Sequence, residues 1–265
     1  MKLGISQIAF KNYSLEQVLI QLSQSPVKGL EVAPTMIWKE PFLSSPAERQ
    51  AVRDLFQEYG ITLIGFQSVL YNCPHLKVFD SDESRRECLE HLKKMIRLCH
   101  ELGGGIMSFG APHNRKRGSL SIDEAMKIAV PFFQDLARTA EEEDIIFCLE
   151  PLAPKFGCDF IVTAQEGADF ITRVGHPNVR LLLDTGSMFM NGEPVADVIV
   201  KCERILRHIH VNDPELTPVG ARGMDHGAVS RALRDIDYRH WVTMEFLFNN
   251  VSPLESAFAG VDCYR

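Results

Sequence analysis

The chain has 265 residues, a formal net charge of −7 at pH 7 and an ordinary apolar fraction of 45%. Its length is close to the roughly 250 residues typical of a (β/α)8 barrel, so one large buried core is feasible. The negative charge argues against a protein that grips a nucleic-acid backbone. The sequence has no secretory signal pattern and no long apolar run, so we expect no membrane association and a cytoplasmic location.

Short runs rich in Ile, Val, Leu and Phe alternate with stretches of helical periodicity along the chain, which is the pattern of repeated βαβ units. The predicted strands are 3–10, 29–34, 61–68, 105–112, 145–152, 179–186, 206–213 and 241–246. Predicted helices fill the intervals, beginning near Ser14, Ser45, Glu83 and Ser121, and a last one follows Pro253. Eight strand–helix units are the number that closes a barrel, so the sequence predicts a single (β/α)8 TIM barrel over residues 1–265.

Four of the later predicted strands end in a side chain that can bind a metal ion. These residues are Glu150, Asp184, His210 and Glu245. They recur at intervals of about one strand–helix unit, and the C-terminal ends of barrel strands meet at one mouth, so we expect them to converge. The alternative is that each acid merely pairs with a Lys or Arg of a neighbouring loop.

Three carboxylates and one imidazole form a mostly hard set of ligands. Such a set suits one divalent metal ion, and Mn²⁺ is our first expectation. Mg²⁺, Co²⁺ and Zn²⁺ are the alternatives.

The same strand endings carry a family resemblance. The motifs LEP at Glu150, LLDTG at Asp184, HIHVND at His210 and TMEF at Glu245 resemble, in order and spacing, the xylose isomerase-like TIM-barrel superfamily of sugar isomerases and epimerases. The segment RALRDIDYRHWVTMEF, residues 231–246, is particularly similar to the last helix–strand unit of the ketose 3-epimerase branch. The resemblance covers essentially the whole chain. It implies that the four residues bind the metal and that Glu150 and Glu245 also serve as acid and base.

Physical chemistry is consistent with the roles that the resemblance implies. A metal at a carbonyl oxygen and the adjacent hydroxyl stabilises the enediolate that forms when the carbon between them loses a proton. If one glutamate removes the proton and the other returns it to the opposite face, the carbon is epimerised. Return on the same side with a shifted carbonyl gives isomerisation instead, and the sequence does not distinguish which glutamate is the base.

The chain departs from the ketose 3-epimerase branch at three positions. Ser187, Phe156 and Leu216 stand where the branch has a histidine, a glutamate and a substrate-binding arginine. These departures count against a free ketohexose as the substrate.

Several other residues are candidate substrate ligands near the predicted mouth. They are Gln67, His113, Arg115, Ser187, Asp213, Arg222 and His226. The basic loop after the fourth predicted strand indicates a sugar-like substrate that is anionic, such as a sugar phosphate or sugar acid, although a solvated basic loop explains it equally. His226 is alternatively part of a hydrogen-bond pair that anchors its loop, and His208 is expected to be a buried core residue.

Other functions remain open on the sequence alone. A dehydratase of the inosose or dehydroshikimate type would keep the metal but expel water. An endonuclease IV-like phosphodiesterase would need more metal ligands and a basic face. A sugar-binding barrel that has lost catalysis is the non-enzymatic alternative, and a homo-oligomer is left open because barrels of this kind often pair.

Overall fold

The computed structural model describes residues 1–247 and 252–265 and contains a closed barrel of eight parallel strands. The strands follow one another around the barrel in chain order, and the last pairs with the first. They are β1 (Lys2–Ser6), β2 (Gly29–Val32), β3 (Thr62–Phe66), β4 (Ile106–Phe109), β5 (Ile146–Leu149), β6 (Val179–Asp184), β7 (Leu206–Val211) and β8 (Trp241–Met244). The predicted (β/α)8 barrel is therefore confirmed.

Helices surround the barrel and connect its strands. They are α1 (Leu15–Ser23), α2 (Pro34–Ile37), α3 (Pro46–Glu58), α4 (Asp82–Glu101), α5 (Ile122–Glu142), α6 (Ala164–Val174), α7 (Thr185–Met190), α8 (Val195–Lys201), α9 (His226–Asp235) and α10 (Pro253–Tyr264). Ser14, Ser45 and Ser121 cap the helices predicted to begin there, each through a reciprocal side-chain and main-chain hydrogen-bond pair. No helix in the described ranges is both long enough and apolar enough to cross a membrane.

The observed strands stop earlier than the predicted ones at their C-terminal ends. After β1, the Ser6 hydroxyl accepts a hydrogen bond from the Ile8 main-chain N–H, which turns the chain into a short 3-10 helix. After β2, Pro34 begins α2. Asp184 both ends β6 and caps the N-terminus of α7. Polar side chains at the strand ends thus start the turns that form the barrel mouth.

The buried apolar residues form two clusters, one inside the barrel and one around it. Ile64, Ile106, Cys148 and Leu182 fill the lower part of the barrel interior. Most other buried apolar residues lie between the strands and the helices. Polar side chains gather instead at the C-terminal ends of the strands, which is where (β/α)8 barrels build their sites.

Gly65 is required for the contact between β3 and β4. The two strands pair only at Gly65 with Ile106 and Phe66 with Met107. A Cβ atom added at Gly65 would lie 2.0 Å from the main-chain oxygen of Ile106. Because backbone cannot move away as a flexible side chain can, any larger residue would separate the two strands.

We predict that Gly65→Ala lowers the free energy of unfolding by about 2 kcal/mol or more, as expected for overpacking against a rigid neighbour. Gly105→Ala is the matched control, because a Cβ atom there meets nothing within 4 Å. The control should change stability by less than about 0.5 kcal/mol. Urea unfolding followed by circular dichroism measures both, and equal midpoints for the two variants would contradict the prediction.

Candidate metal centre

The four predicted metal ligands converge at the barrel mouth. Glu150 follows β5, Asp184 ends β6, His210 lies one residue before the end of β7, and Glu245 follows β8. One potential ligand atom of each lies within 4.8 Å of those of the others. The main chain accounts for the convergence, since the Glu150 N–H donates to Phe109 O at 3.1 Å and the Glu245 N–H to Val211 O at 3.2 Å. Each glutamate thus continues the hydrogen-bond ladder with the preceding strand.

Glu31, on β2, orients His210. The Nε2 atom of His210 lies 3.0 Å from a carboxylate oxygen of Glu31, while Nδ1 lies 3.3 Å from Glu150 and 3.1 Å from Glu245. Glu31 is itself held by Ser108, whose hydroxyl donates to it at 2.6 Å, and by Nε2 of His208 at 2.8 Å. A carboxylate behind a histidine is the usual arrangement for fixing the ring of a metal ligand.

Asp184 is held from two sides. One carboxylate oxygen accepts the Ser187 main-chain N–H at 2.6 Å, and the other accepts the Asn212 side-chain amide at 2.6 Å. Asn212 also accepts a hydrogen bond from the Gly186 N–H at 2.9 Å, so it ties the end of β7 to the start of α7. The position of the Asp184 carboxylate is therefore set before any ligand arrives.

The negative charges among the four converging residues favour the binding of a cation. Burial raises the pKa of Glu150 and of Asp184, and the charge of Glu245 raises both further. Glu31 adds to the rise at Glu150, and Glu150 adds to the rise at Asp184. Burial alone would lower the pKa of His210, but Glu245 and Glu31 raise it well above its usual range. Three acids thus compete for one imidazolium in a buried space. A divalent cation would supply the missing positive charge and would replace the Nδ1 proton of His210, so the donor set fits a metal ion.

A cavity of about 300 Å³ opens above the four residues. Gly110, which follows β4, lies so close to Glu150 that an added Cβ atom would be 2.4 Å from its carboxylate oxygen. Leu152, Phe156 and Leu216 make part of the wall apolar. The cavity can therefore accommodate a small polar molecule that has one apolar face and that binds next to the four potential metal ligands.

The structure brings two of the candidate substrate ligands to this cavity. Gln67 and His113 both line it. Gln67 is buried and donates through its amide nitrogen to Ser6, while its Oε1 atom has no protein partner. An unpartnered buried acceptor beside a polar cavity is suited to a substrate hydroxyl.

Arg115 is not among the residues that line the cavity. It is 1% exposed, and its guanidinium donates to the main-chain oxygens of Gly110, Glu150, Phe160 and Ile161. Its charge therefore holds the loops after β4 and β5 together and supports the main chain at Glu150. The basic loop thus provides no direct evidence for an anionic substrate.

The remaining candidate ligands also support loops around the site. The Ser187 hydroxyl accepts the Ala153 N–H at 2.7 Å. Asp213 accepts hydrogen bonds from His226 at 2.7 Å and from the Arg222 main-chain N–H. His226 also contacts the Tyr264 hydroxyl at 2.6 Å, which ties this loop to α10. None of these residues lines the cavity above the cluster.

Two of the departures from the ketose 3-epimerase pattern lie in the cavity wall itself. Phe156 and Leu216 replace a carboxylate and a guanidinium with apolar groups there. Three lining residues, Ser68, Ala111 and Leu216, have φ angles of 53°, 40° and 54°. Residues other than glycine in this left-handed region carry strain, and such strain concentrates at functional sites.

Sequence reasoning did not assign roles to Glu31, Ser108 and Asn212. The signal for Glu31 was its position inside a fully buried strand, because a buried charge needs partners. Those partners, His208 and His210, come from a strand about 180 residues later and could be identified only in the closed barrel. His208 is fully buried, and its Nε2 contact is with Glu31.

Known proteins resemble this chain in sequence and in fold. A family model described as xylose isomerase-like TIM barrel matches residues 21–264. A D-psicose 3-epimerase of Enterocloster bolteae is 32% identical over 150 residues, which are 55% of this chain and 48% of that protein. The chain spans about half the length of this relative.

Solved structures share the complete barrel. A D-psicose 3-epimerase from Clostridium cellulolyticum H10, crystallised with D-tagatose, matches with a TM-score of 0.80 and 20% identity over 100% of this chain and 90% of that one. A 3-keto-D-glucoside 4-epimerase from E. coli matches with a TM-score of 0.81 and 17% identity over 100% of this chain and 99% of that one. At these identities the likeness supports the fold.

We predict that a divalent cation stabilises the folded protein, because it relieves the repulsion among the three clustered acids. At a Mn²⁺ concentration of 100 times its Kd the gain is about 2.7 kcal/mol. For a chain of this size that corresponds to a rise in Tm of roughly 5–10 °C. Differential scanning fluorimetry with Mn²⁺ or with EDTA measures it, and identical melting curves in the two conditions would show that no ion binds.

We predict that Glu31→Gln weakens Mn²⁺ binding by roughly 10–100-fold, the usual effect of removing a group that orients a metal ligand. The substitution removes the negative charge that keeps Nε2 of His210 protonated and Nδ1 directed at the cluster. Glu90→Gln on the surface of α4 is the matched control. Isothermal titration calorimetry on folded protein gives the affinities, and wild-type affinity in Glu31→Gln would exclude this role.

Proposed function

The chain belongs to the xylose isomerase-like TIM-barrel family, and we propose that it is a divalent-metal-dependent sugar epimerase. The observation that carries the proposal is the pair of glutamates, Glu150 and Glu245, placed at the ends of β5 and β8 around one cavity with Asp184 and His210. The ketose 3-epimerases among its sequence relatives support the same reaction class.

Four side chains would hold the metal ion: Glu150, Asp184, His210 and Glu245. When bound there, the ion supplies Lewis-acid stabilisation of the negative charge that develops on the sugar oxygens. Asp184 and His210 are the more firmly fixed pair, because Asn212, the Ser187 N–H and Glu31 hold them. Because Asp184 and His210 would fix the ion, Glu150 and Glu245 could also take part in proton transfer.

Glu150 and Glu245 would transfer the proton. Epimerisation requires one carboxylate to remove the proton from the carbon next to the carbonyl and a protonated carboxyl to return one to the opposite face. The two residues come from strands on different sides of the mouth, yet both contact Nδ1 of His210. Burial raises the pKa of Glu150, which favours its protonated form relative to an exposed glutamate.

Gln67 and His113, which also line the cavity, would bind substrate hydroxyls. The apolar side chains of Phe156 and Leu216 would face a part of the substrate that needs no hydrogen bonds. Arg115, Ser187, Asp213, Arg222 and His226 would act indirectly, by holding the loops that carry the lining residues.

Phosphodiester cleavage by several metal ions fits the site less well. The other cluster of potential ligands in the described ranges, Glu31, His208 and His210, shares His210 with the first and is fully enclosed. Its Glu31 and His208 are not among the residues that line the cavity. We therefore propose one ion, with Mn²⁺ preferred for three oxygen donors and one imidazole, in a cytoplasmic enzyme.

The reaction class is tested by solvent exchange. Purified protein with Mn²⁺ is incubated in D₂O with ketoses, ketose phosphates and ketoglycosides, and the products are followed by NMR and mass spectrometry. We expect one C–H next to the carbonyl to exchange and an epimer to appear without loss of water. Loss of one water would instead identify a dehydratase, and binding without exchange would identify a sugar-binding protein.

We predict that Glu150→Gln and Glu245→Gln each lower the rate of epimer formation by at least about 100-fold, since general acid–base catalysis contributes roughly 10²–10⁴-fold. Glu141→Gln on α5 is the matched control and should leave the rate within twofold of the wild type. All three are assayed at saturating Mn²⁺ with Tm as a folding check. An active Glu150→Gln or Glu245→Gln variant would contradict the proposed proton transfer.

A further inference from the structure

A second cavity adjoins the one above the metal cluster. It encloses about 430 Å³, compared with about 300 Å³ for the first. Six residues line both: Ser68, Ser108, Gly110, Ala111, Pro112 and His113. The two cavities therefore meet along this border, and the second, which we call the side lobe, extends the site over the loop after β3.

The walls of the side lobe are held in place by hydrogen bonds between two loops. The side-chain amide of Asn114 donates to Cys73 O at 2.9 Å and to Leu76 O at 2.7 Å. The Val78 N–H donates to Asn114 O at 2.9 Å, and Lys77 Nζ donates to His113 O at 2.7 Å. Cavity walls that are held in this way need no reordering on binding, which favours a ligand that fits them.

Three residues of the side lobe, Ser68, Asn72 and Ala111, have strained main-chain angles, and the first two lie in the loop after β3. Ser68 and Asn72 have φ angles of 53° and 60°. The strained turn is closed by the Tyr71 N–H, which donates to Ser68 O at 2.9 Å. Because backbone strain concentrates at functional sites, the strained turn favours a binding role for the side lobe.

Among the described residues, the side lobe is lined by no carboxylate, ammonium or guanidinium group, and its one imidazole, that of His113, lies on the border with the first cavity. Its walls include the apolar residues Val69, Leu70, Pro74 and Pro112. Tyr71 is 62% exposed at its edge and offers an aromatic face. A charged group would lose its water here without gaining a partner, whereas an aryl group or a second sugar ring could pack against the walls and stack on the ring.

We propose that the substrate is a ketoglycoside whose oxidised sugar lies over the metal cluster and whose uncharged aglycone lies in the side lobe. The inference rests on the proposed epimerase function and adds the substrate class to it. A free ketohexose would leave the larger cavity to water. A sugar phosphate would place its charge beside three carboxylates or in a lobe that no described Lys or Arg lines.

A matched series of substrates tests the assignment. One 3-ketoglucoside is prepared with a methyl, a phenyl, a glucosyl or a 4-carboxyphenyl aglycone, and kcat/KM for solvent exchange is measured with Mn²⁺. We expect the phenyl and glucosyl compounds to exceed the methyl compound at least tenfold and the carboxyphenyl compound to fall below the phenyl one. Equal values across the series would overturn the side-lobe assignment while leaving the epimerase proposal intact.

Variants of Tyr71 test whether the preference for a phenyl over a methyl aglycone depends on the side lobe. Tyr71→Ala should lower the phenyl-to-methyl ratio at least fivefold, and Tyr71→Phe should keep it, because the aromatic face is retained. Leu43→Ala is the control, since Leu43 is 76% exposed and does not line either cavity. A ratio that Tyr71→Ala leaves unchanged would overturn the role of this wall.

Failure of the proposed function has a separate signature. If no compound exchanges with solvent, the epimerase proposal fails. Calorimetric binding of phenyl and methyl β-glucoside to the Mn²⁺-loaded protein then tests the side lobe alone. Tighter binding of the phenyl compound by at least tenfold would support the assignment, and equal binding would reject it.

Discussion

Three carboxylates, two of them buried and one partly buried, surround a single imidazole at the mouth of this barrel, and most features of the site stabilise that arrangement. Buried acids repel one another and lose hydration, so they persist only with hydrogen bonds or a cation. Asp184 has both of its oxygens satisfied by Asn212 and the Ser187 N–H, and His210 is oriented from behind by Glu31. The remaining negative charge faces the cavity, where a metal ion would neutralise it.

The same constraint explains how charge is distributed around the cavity. Arg115, a fully buried arginine near the site, does not neutralise the cluster directly, because its donors are engaged by main-chain oxygens. Two positive charges thus have different roles. The guanidinium of Arg115 supports the loops, whereas an exchangeable metal ion would take part in the reaction. An arginine in the cavity would compete for the same carboxylates, and the apolar Phe156 and Leu216 avoid that competition.

Much of the fold could be predicted from sequence because the barrel repeats one simple pattern. Apolar runs at regular intervals identified all eight strands, and serine residues before helical patterns identified caps at Ser14, Ser45 and Ser121. The ends of the strands were placed too late because the polar residues that follow them start turns, as at Ser6. Residues such as Gln7 and Pro34 continue an apolar run in sequence yet belong to short helical turns.

The convergence of Glu150, Asp184, His210 and Glu245 was predictable for the same reason, since these residues recur at one phase of the repeat. The roles of loop residues were not, because they depend on which atoms face one another after folding. Arg115 and His113 are two residues apart, yet only His113 lines the cavity. Pairings such as His226 with Asp213 and Tyr264 join segments whose contacts the local pattern does not specify.

The turn that carries Leu216 has a consequence for redesign. Glu215 and Leu216 are consecutive left-handed residues, enclosed by the paired main chains of Asp213 and Thr217, and Leu216 O accepts the Leu247 N–H at 3.0 Å. The direction in which the side chain at 216 leaves the backbone is therefore dictated by the whole hairpin. An arginine substituted at this position would leave the backbone in the direction that this hairpin sets. Conversion to a different sugar preference would require exchange of the complete 213–217 segment as a cassette.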